Sequence, residues 1–135
     1  MLWPSLSSFQ SPYLLVALGG AIGSALRYGV GRLMAAWFAN LASVWATLIV
    51  NIVGAFVLGC VVMGFSASQR GHPAVLFLGV GLCGGFTTFS TLAMELADLI
   101  HARRWDLAIA YGLGSLVLGW FAFLAGAWVM QRSIH

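Results

Sequence analysis

Long apolar stretches alternate with short polar segments along the whole chain. Four of these stretches are long enough to cross a bilayer, which takes roughly 20 apolar residues in a helix. We predict membrane-spanning helices at about residues 13–37, 42–65, 74–100 and 107–130. Together they make residues 1–135 a single all-α transmembrane domain. Pro12 is expected to start the first helix, because proline suits a first turn.

The composition agrees with a protein that is dissolved in lipid. Hydrophobic residues make up 61% of the chain and charged residues only 7%, whereas about one-quarter of a soluble domain is charged. The six arginines are scattered and form no basic patch, which argues against a nucleic-acid partner. The sequence has no paired carboxylates, no nucleophile–base pair and no phosphate loop, so we do not expect an enzyme. The expected location is the cell membrane, and the expected partner is the lipid bilayer.

The loop charges give little preference for one orientation in the membrane. With four spans, Arg70 and Arg132 lie on one side, while Arg103, Arg104 and Arg32 lie on or near the other. The numbers of arginines on the two sides are nearly equal, so the positive-inside rule favours neither orientation clearly. Two readings stay open: the chain inserts in both orientations and forms an antiparallel homodimer, or one orientation prevails by a small margin.

The first two predicted spans each carry a polar side chain that is costly in lipid, Arg27 and Asn51. Arg27 lies about fourteen residues into the first span, or roughly 21 Å along it. It faces either protein or a water-filled cavity, or it extends to the headgroups from the far end of the helix. Asn51 lies near the middle of the second span, one turn after Thr47. Its amide is suited to donating to an anion or to bonding a neighbouring helix.

The third span has an unusual centre. Residues 79–92 read GVGLCGGFTTFSTL, with four glycines followed by a cluster of hydroxyl side chains. Such a sequence favours a continuous helix poorly, so we predict a break in this span. Carbonyls exposed at a break can hold a cation, whereas half-helix N-termini and hydroxyls favour an anion. The alternative is a continuous glycine-rich helix that packs closely against its neighbours.

Small residues recur on one face of two other spans and predict close helix contacts. In the first span they are Gly19, Gly23 and Gly31, which together with Arg27 recur every four residues. In the fourth span they are Gly112, Ser115 and Gly119.

Three of these segments together resemble the Fluc/CrcB family of fluoride channels. Residues 19–28 read GGAIGSALRY, residues 47–54 read TLIVNIVG and residues 84–91 read GGFTTFST. The similarity covers essentially the whole chain. It implies a passive, fluoride-selective channel that exports fluoride from the cytoplasm. It also implies an antiparallel homodimer with two fluoride pathways.

The resemblance further implies the residues that serve these pathways. A structural sodium ion, which is not transported, would be held on the dimer axis by the backbone carbonyls of Gly84 and Thr87. Arg27 would lie in the vestibule. The implied fluoride pathway consists of Asn51, Phe89, Ser90, Thr91, Glu95, Tyr111 and Ser115.

The chain departs from the family pattern at two positions. Leu92 replaces a second aromatic residue, and Gly119 replaces a hydroxyl residue that is common there. Two other functions remain as alternatives. A small multidrug/proton antiporter would favour an acid in the first span, where this chain has Arg27. A structural subunit of a membrane complex would explain the glycines but not Asn51 together with the third-span hydroxyls.

Overall fold

The chain folds as a bundle of helices joined by short turns. The computed structural model describes residues 6–38, 40–65 and 67–134, except the side chains of residues 6–11 and 67. The described residues contain no β-strand. In chain order the helical elements are α1 (Leu6–Trp37), α2 (Ala42–Gly64), a 3₁₀ turn (Ala67–Gln69), a π-helical segment (Val75–Cys83), α3 (Gly84–Phe86), α4 (Phe89–His101) and α5 (Trp105–Ile134).

Within the residues that the structure describes, four helical stretches are long and apolar enough to cross a membrane: Pro12–Trp37, Ala42–Gly64, Val75–His101 and Trp105–Ile134. Their outer faces carry large apolar side chains, such as Leu116, which is 72% exposed. In water such a surface would be unfavourable, but in hydrocarbon it is well solvated. The prediction of an all-α protein with four long apolar helices is confirmed.

The start of the first helix differs from the expectation. α1 begins at Leu6, so Pro12 lies inside it rather than at its start. A proline removes only its own bond to the carbonyl four residues earlier, and membrane helices tolerate this loss. The helix can therefore continue on the N-terminal side of Pro12.

Glycines bring α1 against the first half of the third span. A Cβ built at Gly19 would overlap the carbonyl of Phe77, and one built at Gly23 would overlap that of Leu82. The two backbones therefore touch directly at these points. Gly31, the last glycine of the predicted stripe, has open space where its Cβ would be. Within one chain, only the first part of the stripe packs helix on helix.

The third span changes conformation near its centre. The nine π-helical residues and the three residues of α3 are followed by Thr87 and Thr88, whose backbones are extended (φ −81°, ψ 158° and φ −152°, ψ 115°). The thirteen residues of α4 follow. Thr88 caps α4, since its Oγ1 accepts a 3.1 Å hydrogen bond from the N–H of Thr91. We call Thr87 and Thr88 the interruption.

Candidate functional site

The side chain of Asn51 pairs with the main chain of the interruption. Its Nδ2 donates to the carbonyl of Thr88 at 3.1 Å, and its Oδ1 accepts from the N–H of Thr88 at 2.8 Å. The pair fixes which end of the amide is oxygen, because the reverse orientation would oppose two donors and two acceptors. One residue of α2 therefore satisfies both backbone groups of Thr88.

The bonds made at the interruption leave two carbonyl groups of the third span without their helical donors. In a continuous α-helix, the N–H of Thr88 would donate to the carbonyl of Gly84, but it donates to Asn51 instead. Likewise, the N–H of Thr91 would serve the carbonyl of Thr87, but it donates to Thr88 Oγ1. Gly84 is exposed and has open space where a Cβ would be. The carbonyl oxygens of Gly84 and Thr87 thus lack their usual helical donors. A carbonyl oxygen must be free in this way to coordinate a cation.

Two side chains of α1 reach the end of α3. Arg27 donates from Nε to the carbonyl of Gly85 at 3.0 Å, and Ser24 donates to the same oxygen at 3.5 Å. The helical donor for this carbonyl would be the N–H of Phe89, which lies beyond the interruption. Arg27 is half-buried and faces protein, the first of the two arrangements that the sequence leaves open.

A first groove, which we call the Arg27 groove, has a volume of about 440 Å³. It carries the guanidinium groups of Arg27 and Arg32 and several hydroxyl groups. Its cationic and hydroxyl lining can attract an anion and donate hydrogen bonds to it. The lining residues are Arg27, Tyr28, Gly31, Arg32, Ala35, Ala42, Ser43, Ala46, Thr47, Val50, Thr88 and Thr91.

A second groove, the Ser115 groove, has a volume of about 610 Å³ and brings Asn51, Phe89 and Ser115 together. Ser115 is only 7% exposed, and its Oγ has no hydrogen-bond partner among the described residues. A buried hydroxyl without a partner costs free energy unless a ligand or water satisfies it. Leu92 and Gly119, where the sequence departs from the family pattern, also line this groove.

A buried cluster of hydrogen bonds surrounds Glu95, which is 5% exposed. Its Oε1 accepts from the hydroxyls of Ser43 and of Thr47, the latter at 3.1 Å, and its Oε2 accepts from Tyr111 at 2.6 Å. Ser43 and Thr47 line the Arg27 groove, while Tyr111 lies one turn before Ser115 on α5. The cluster thus links the wall of the Arg27 groove to the helix that carries Ser115.

Most of the predicted site residues belong to one of these three features. Asn51, Phe89 and Ser115 share the Ser115 groove, which Thr87 also lines, whereas Arg27 and Thr91 line the other groove. Glu95 and Tyr111 lie in the buried cluster. Ser90 is exposed and lines neither groove, but its Oγ is 3.2 Å from Thr88 Oγ1.

Ser43 and Thr88 received no role in the sequence analysis. Ser43 contacts Glu95, and Thr88 lines both grooves. Helical spacing could have identified Ser43. It lies four residues before Thr47 and eight before Asn51, and the three therefore share one polar face of α2. The importance of Thr88 lies in its backbone, and a side-chain pattern carries no signal for that.

Comparison with known proteins identifies the family. The family model described as CrcB-like protein, Camphor Resistance (CrcB), matches residues 14–127. The chain is 46% identical over 113 residues to a fluoride-specific ion channel FluC of Thermus thermophilus, and the match covers 83% of this chain and 90% of that protein. Proteins of the same name from Gloeobacter violaceus (43% over 117 residues; 83% and 93% covered) and Hyphomonas neptunium (40% over 122 residues; 89% and 95% covered) are also similar. The chain belongs to the CrcB family.

Proposed function

We propose that this chain is a subunit of a fluoride-specific channel that lets fluoride leave the cell passively and so lowers its concentration inside. The names of its relatives support this function, and its four apolar helices make it a multi-pass protein of the cell membrane. None of the three relatives named above is a multidrug/proton antiporter. The observation that carries the proposal is the unpartnered Ser115 hydroxyl in a groove with Asn51 and Phe89.

The Ser115 groove offers the donors that a small anion needs. Fluoride holds its water tightly, so a pore must replace that water with closely placed hydrogen-bond donors. Ser115 can donate its hydroxyl proton, and Asn51 keeps one amide proton after bonding the carbonyl of Thr88. The ring of Phe89 carries positive charge at its edge, which an anion can approach. None of these groups bears a full charge that would hold the ion too strongly to release it.

The Arg27 groove acts as the entrance. The positive charges of Arg27 and Arg32 raise the local concentration of anions there. From this groove, Thr91 leads by way of Thr88 to the Ser115 groove. Ser90 extends this row of hydroxyls, and Glu95 and Tyr111 form the wall behind it. Movement is passive, and a membrane potential that is negative inside drives the anion outwards by about 2.3 kcal/mol per 100 mV.

The working channel contains a second copy in the antiparallel orientation. Phe89 is 80% exposed although it lines the proposed path, so a single chain encloses this path incompletely. In our proposal the interruption is a functional break at membrane depth, and the two copies meet there. The second copy covers Phe89 and completes both fluoride pathways.

Sodium is the cation that we propose for the freed carbonyls. Gly84 and Thr87 present neutral oxygen ligands, which suit a hard cation. Both lack their helical donors, and Gly84 is exposed, so two copies together would supply four carbonyl oxygens. Bound there, sodium would supply positive charge that compensates these carbonyl dipoles. It has a structural role and is not transported.

A flux measurement in liposomes tests the proposed function. Purified protein is reconstituted into vesicles loaded with potassium fluoride or potassium chloride, and valinomycin balances the charge. We expect rapid release of fluoride and no release of chloride above that of protein-free vesicles. Equal release of the two anions would contradict selectivity, and release of neither would contradict the channel.

Ser115→Ala should separate ion passage from stability. The hydroxyl makes no hydrogen bond within the described residues, so its removal leaves no partner unsatisfied. We expect fluoride efflux to fall about tenfold, since about 1.4 kcal/mol of lost stabilisation corresponds to a factor of ten. The free energy of unfolding should change little, because no bonded partner loses its hydrogen bond.

Ser133→Ala is the matched control for this prediction. Ser133 is an exposed serine near the end of the same helix, and its hydroxyl donates to the carbonyl of Val129 in its own helix. Its replacement should leave efflux unchanged. Efflux that stays normal in Ser115→Ala would remove this hydroxyl from the pathway.

A further inference from the structure

We propose that Arg27 is a positioning residue that fixes the carbonyl end of α3 and thereby the sodium site, in addition to its attraction for anions. This inference rests on the proposed sodium site and goes beyond it, because it assigns the geometry of that site to one side chain of α1. Three observations carry it: the bond from Arg27 to Gly85, the contact between α1 and α3, and the environment of Gly84.

The bond from Arg27 occurs where the third span lacks a donor. The carbonyl of Gly85 cannot use the N–H of Phe89 as in a continuous helix, since the chain is extended in between. Arg27 Nε takes the place of that donor at 3.0 Å. The carbonyl end of a helix segment also carries partial negative charge, which a cation stabilises.

Close backbone contact makes this bond possible. A Cβ at Gly85 would lie 3.0 Å from Gly20 Cα, so α3 rests directly on α1 at this point. Ser24 and Arg27 follow Gly20 by four and seven residues and therefore share its face of α1. Helical side chains lean towards the N-terminus of their helix, and Arg27 thus reaches back over Ser24 to Gly85.

The neighbouring residue shows the consequence for a cation. Gly84 precedes Gly85 directly, is exposed, and has nothing within 4 Å of a Cβ position. No atom of another element lies close to Gly84 on that side, and its N–H bonds the carbonyl of Gly81 within the same span. When Arg27 and Ser24 bind the Gly85 carbonyl on the α1 side, they fix the turn from which the Gly84 carbonyl projects. Arg27 acts on the cation site through this backbone and does not touch the ion.

Arg32 provides a control within the same groove. It carries the same charge, lines the Arg27 groove, and donates to the hydroxyl of Tyr28 at 3.4 Å. It makes no bond to the described residues of the third span. If Arg27 acted by charge alone, Arg27 and Arg32 would be equivalent, and lysine would replace either of them. A lysine at position 27 keeps the charge but has no donor at the position of Nε.

The experiment measures binding of sodium without measuring flux. Purified wild-type protein, Arg27→Met, Arg27→Lys and Arg32→Met are heated in increasing sodium chloride, with N-methylglucamine chloride keeping ionic strength constant. We expect the sodium concentration for half-maximal thermal stabilisation to rise at least about tenfold in both Arg27 variants, because a hydrogen bond from a charged group is lost. Arg32→Met should match the wild type.

Hydrogen–deuterium exchange gives a second measurement that does not require sodium. The amides of residues 87–91 should exchange faster in Arg27→Met and Arg27→Lys than in the wild type or Arg32→Met. If Arg27→Lys had the sodium midpoint and the exchange rates of the wild type, the positioning role would be overturned. A wild-type protein that sodium does not stabilise would instead overturn the sodium site, and exchange would then decide the role of Arg27 alone. The flux of fluoride from liposomes tests the channel function separately, whatever the sodium and exchange measurements show.

Discussion

Replacing Asn51 with Asp should reduce fluoride efflux from reconstituted liposomes by at least about tenfold and should also lower thermal stability. The substitution puts an oxygen where Nδ2 now donates to the carbonyl of Thr88, so two acceptors face each other. Opposing two acceptors in this partly buried pair costs about 1–3 kcal/mol. An ionised Asp would in addition repel an anion in the Ser115 groove, which Asn51 lines.

A neutral variant separates these two causes. Asn51→Leu has a similar size and no charge, but it loses both bonds to Thr88. It should lower the midpoint of thermal unfolding about as much as Asp does, while Asp should reduce fluoride efflux further through its charge. Unchanged efflux in Asn51→Asp would exclude Asn51 from the pathway.

Adding one methyl group at Gly23 should destabilise the bundle. A Cβ there would overlap the carbonyl of Leu82 and lie 2.8 Å from the backbone nitrogen of Phe86. Both neighbours are backbone atoms, which cannot rotate away as a flexible side chain would. We expect Gly23→Ala to reduce the free energy of unfolding by about 1–3 kcal/mol, the usual cost of overpacking. Reversible unfolding in a denaturing detergent measures this change.

Gly29→Ala is the matched control on the same helix. A Cβ at Gly29 would have nothing within 4 Å. Because alanine favours a helix over glycine by up to about 1 kcal/mol, this variant should be as stable as the wild type or more stable. Equal destabilisation by the two substitutions would mean that the contact between α1 and the third span does not contribute as described.

The spacing of charges was sufficient to predict the four helices. Long uncharged stretches are expected to lie in lipid. A single segment can form all its backbone hydrogen bonds internally there only as a helix. The sequence did not predict that the segment Val75–Cys83 is π-helical. Its residues are apolar all round, so no face distinguishes a π-helix from an α-helix. The start of α1 was also missed, since the tolerance for Pro12 depends on the bonds around it.

The sequence singled out the polar residues of the candidate site but not their geometry. The polar residues in the spans stood out because each is unfavourable in lipid unless it has a partner. The sequence could not name those partners, because Asn51 and Thr88 are 37 residues apart and Arg27 and Gly85 are 58 apart. Both partners are backbone groups, which every residue possesses. Only the packing of α1 and α2 on the third span determines which backbone groups are within reach.

The pairing between Asn51 and Thr88 has a consequence for which substitutions evolution can accept. A carboxamide presents the same donor and acceptor as a peptide group, so Asn51 pairs with Thr88 as a neighbouring strand would in a sheet. No other side chain of this length offers both groups. The bonds use only the main chain of Thr88. In a saturation library, position 51 should therefore accept almost no replacement, whereas position 88 should keep this pair with any residue except proline, which lacks the N–H that donates to Asn51.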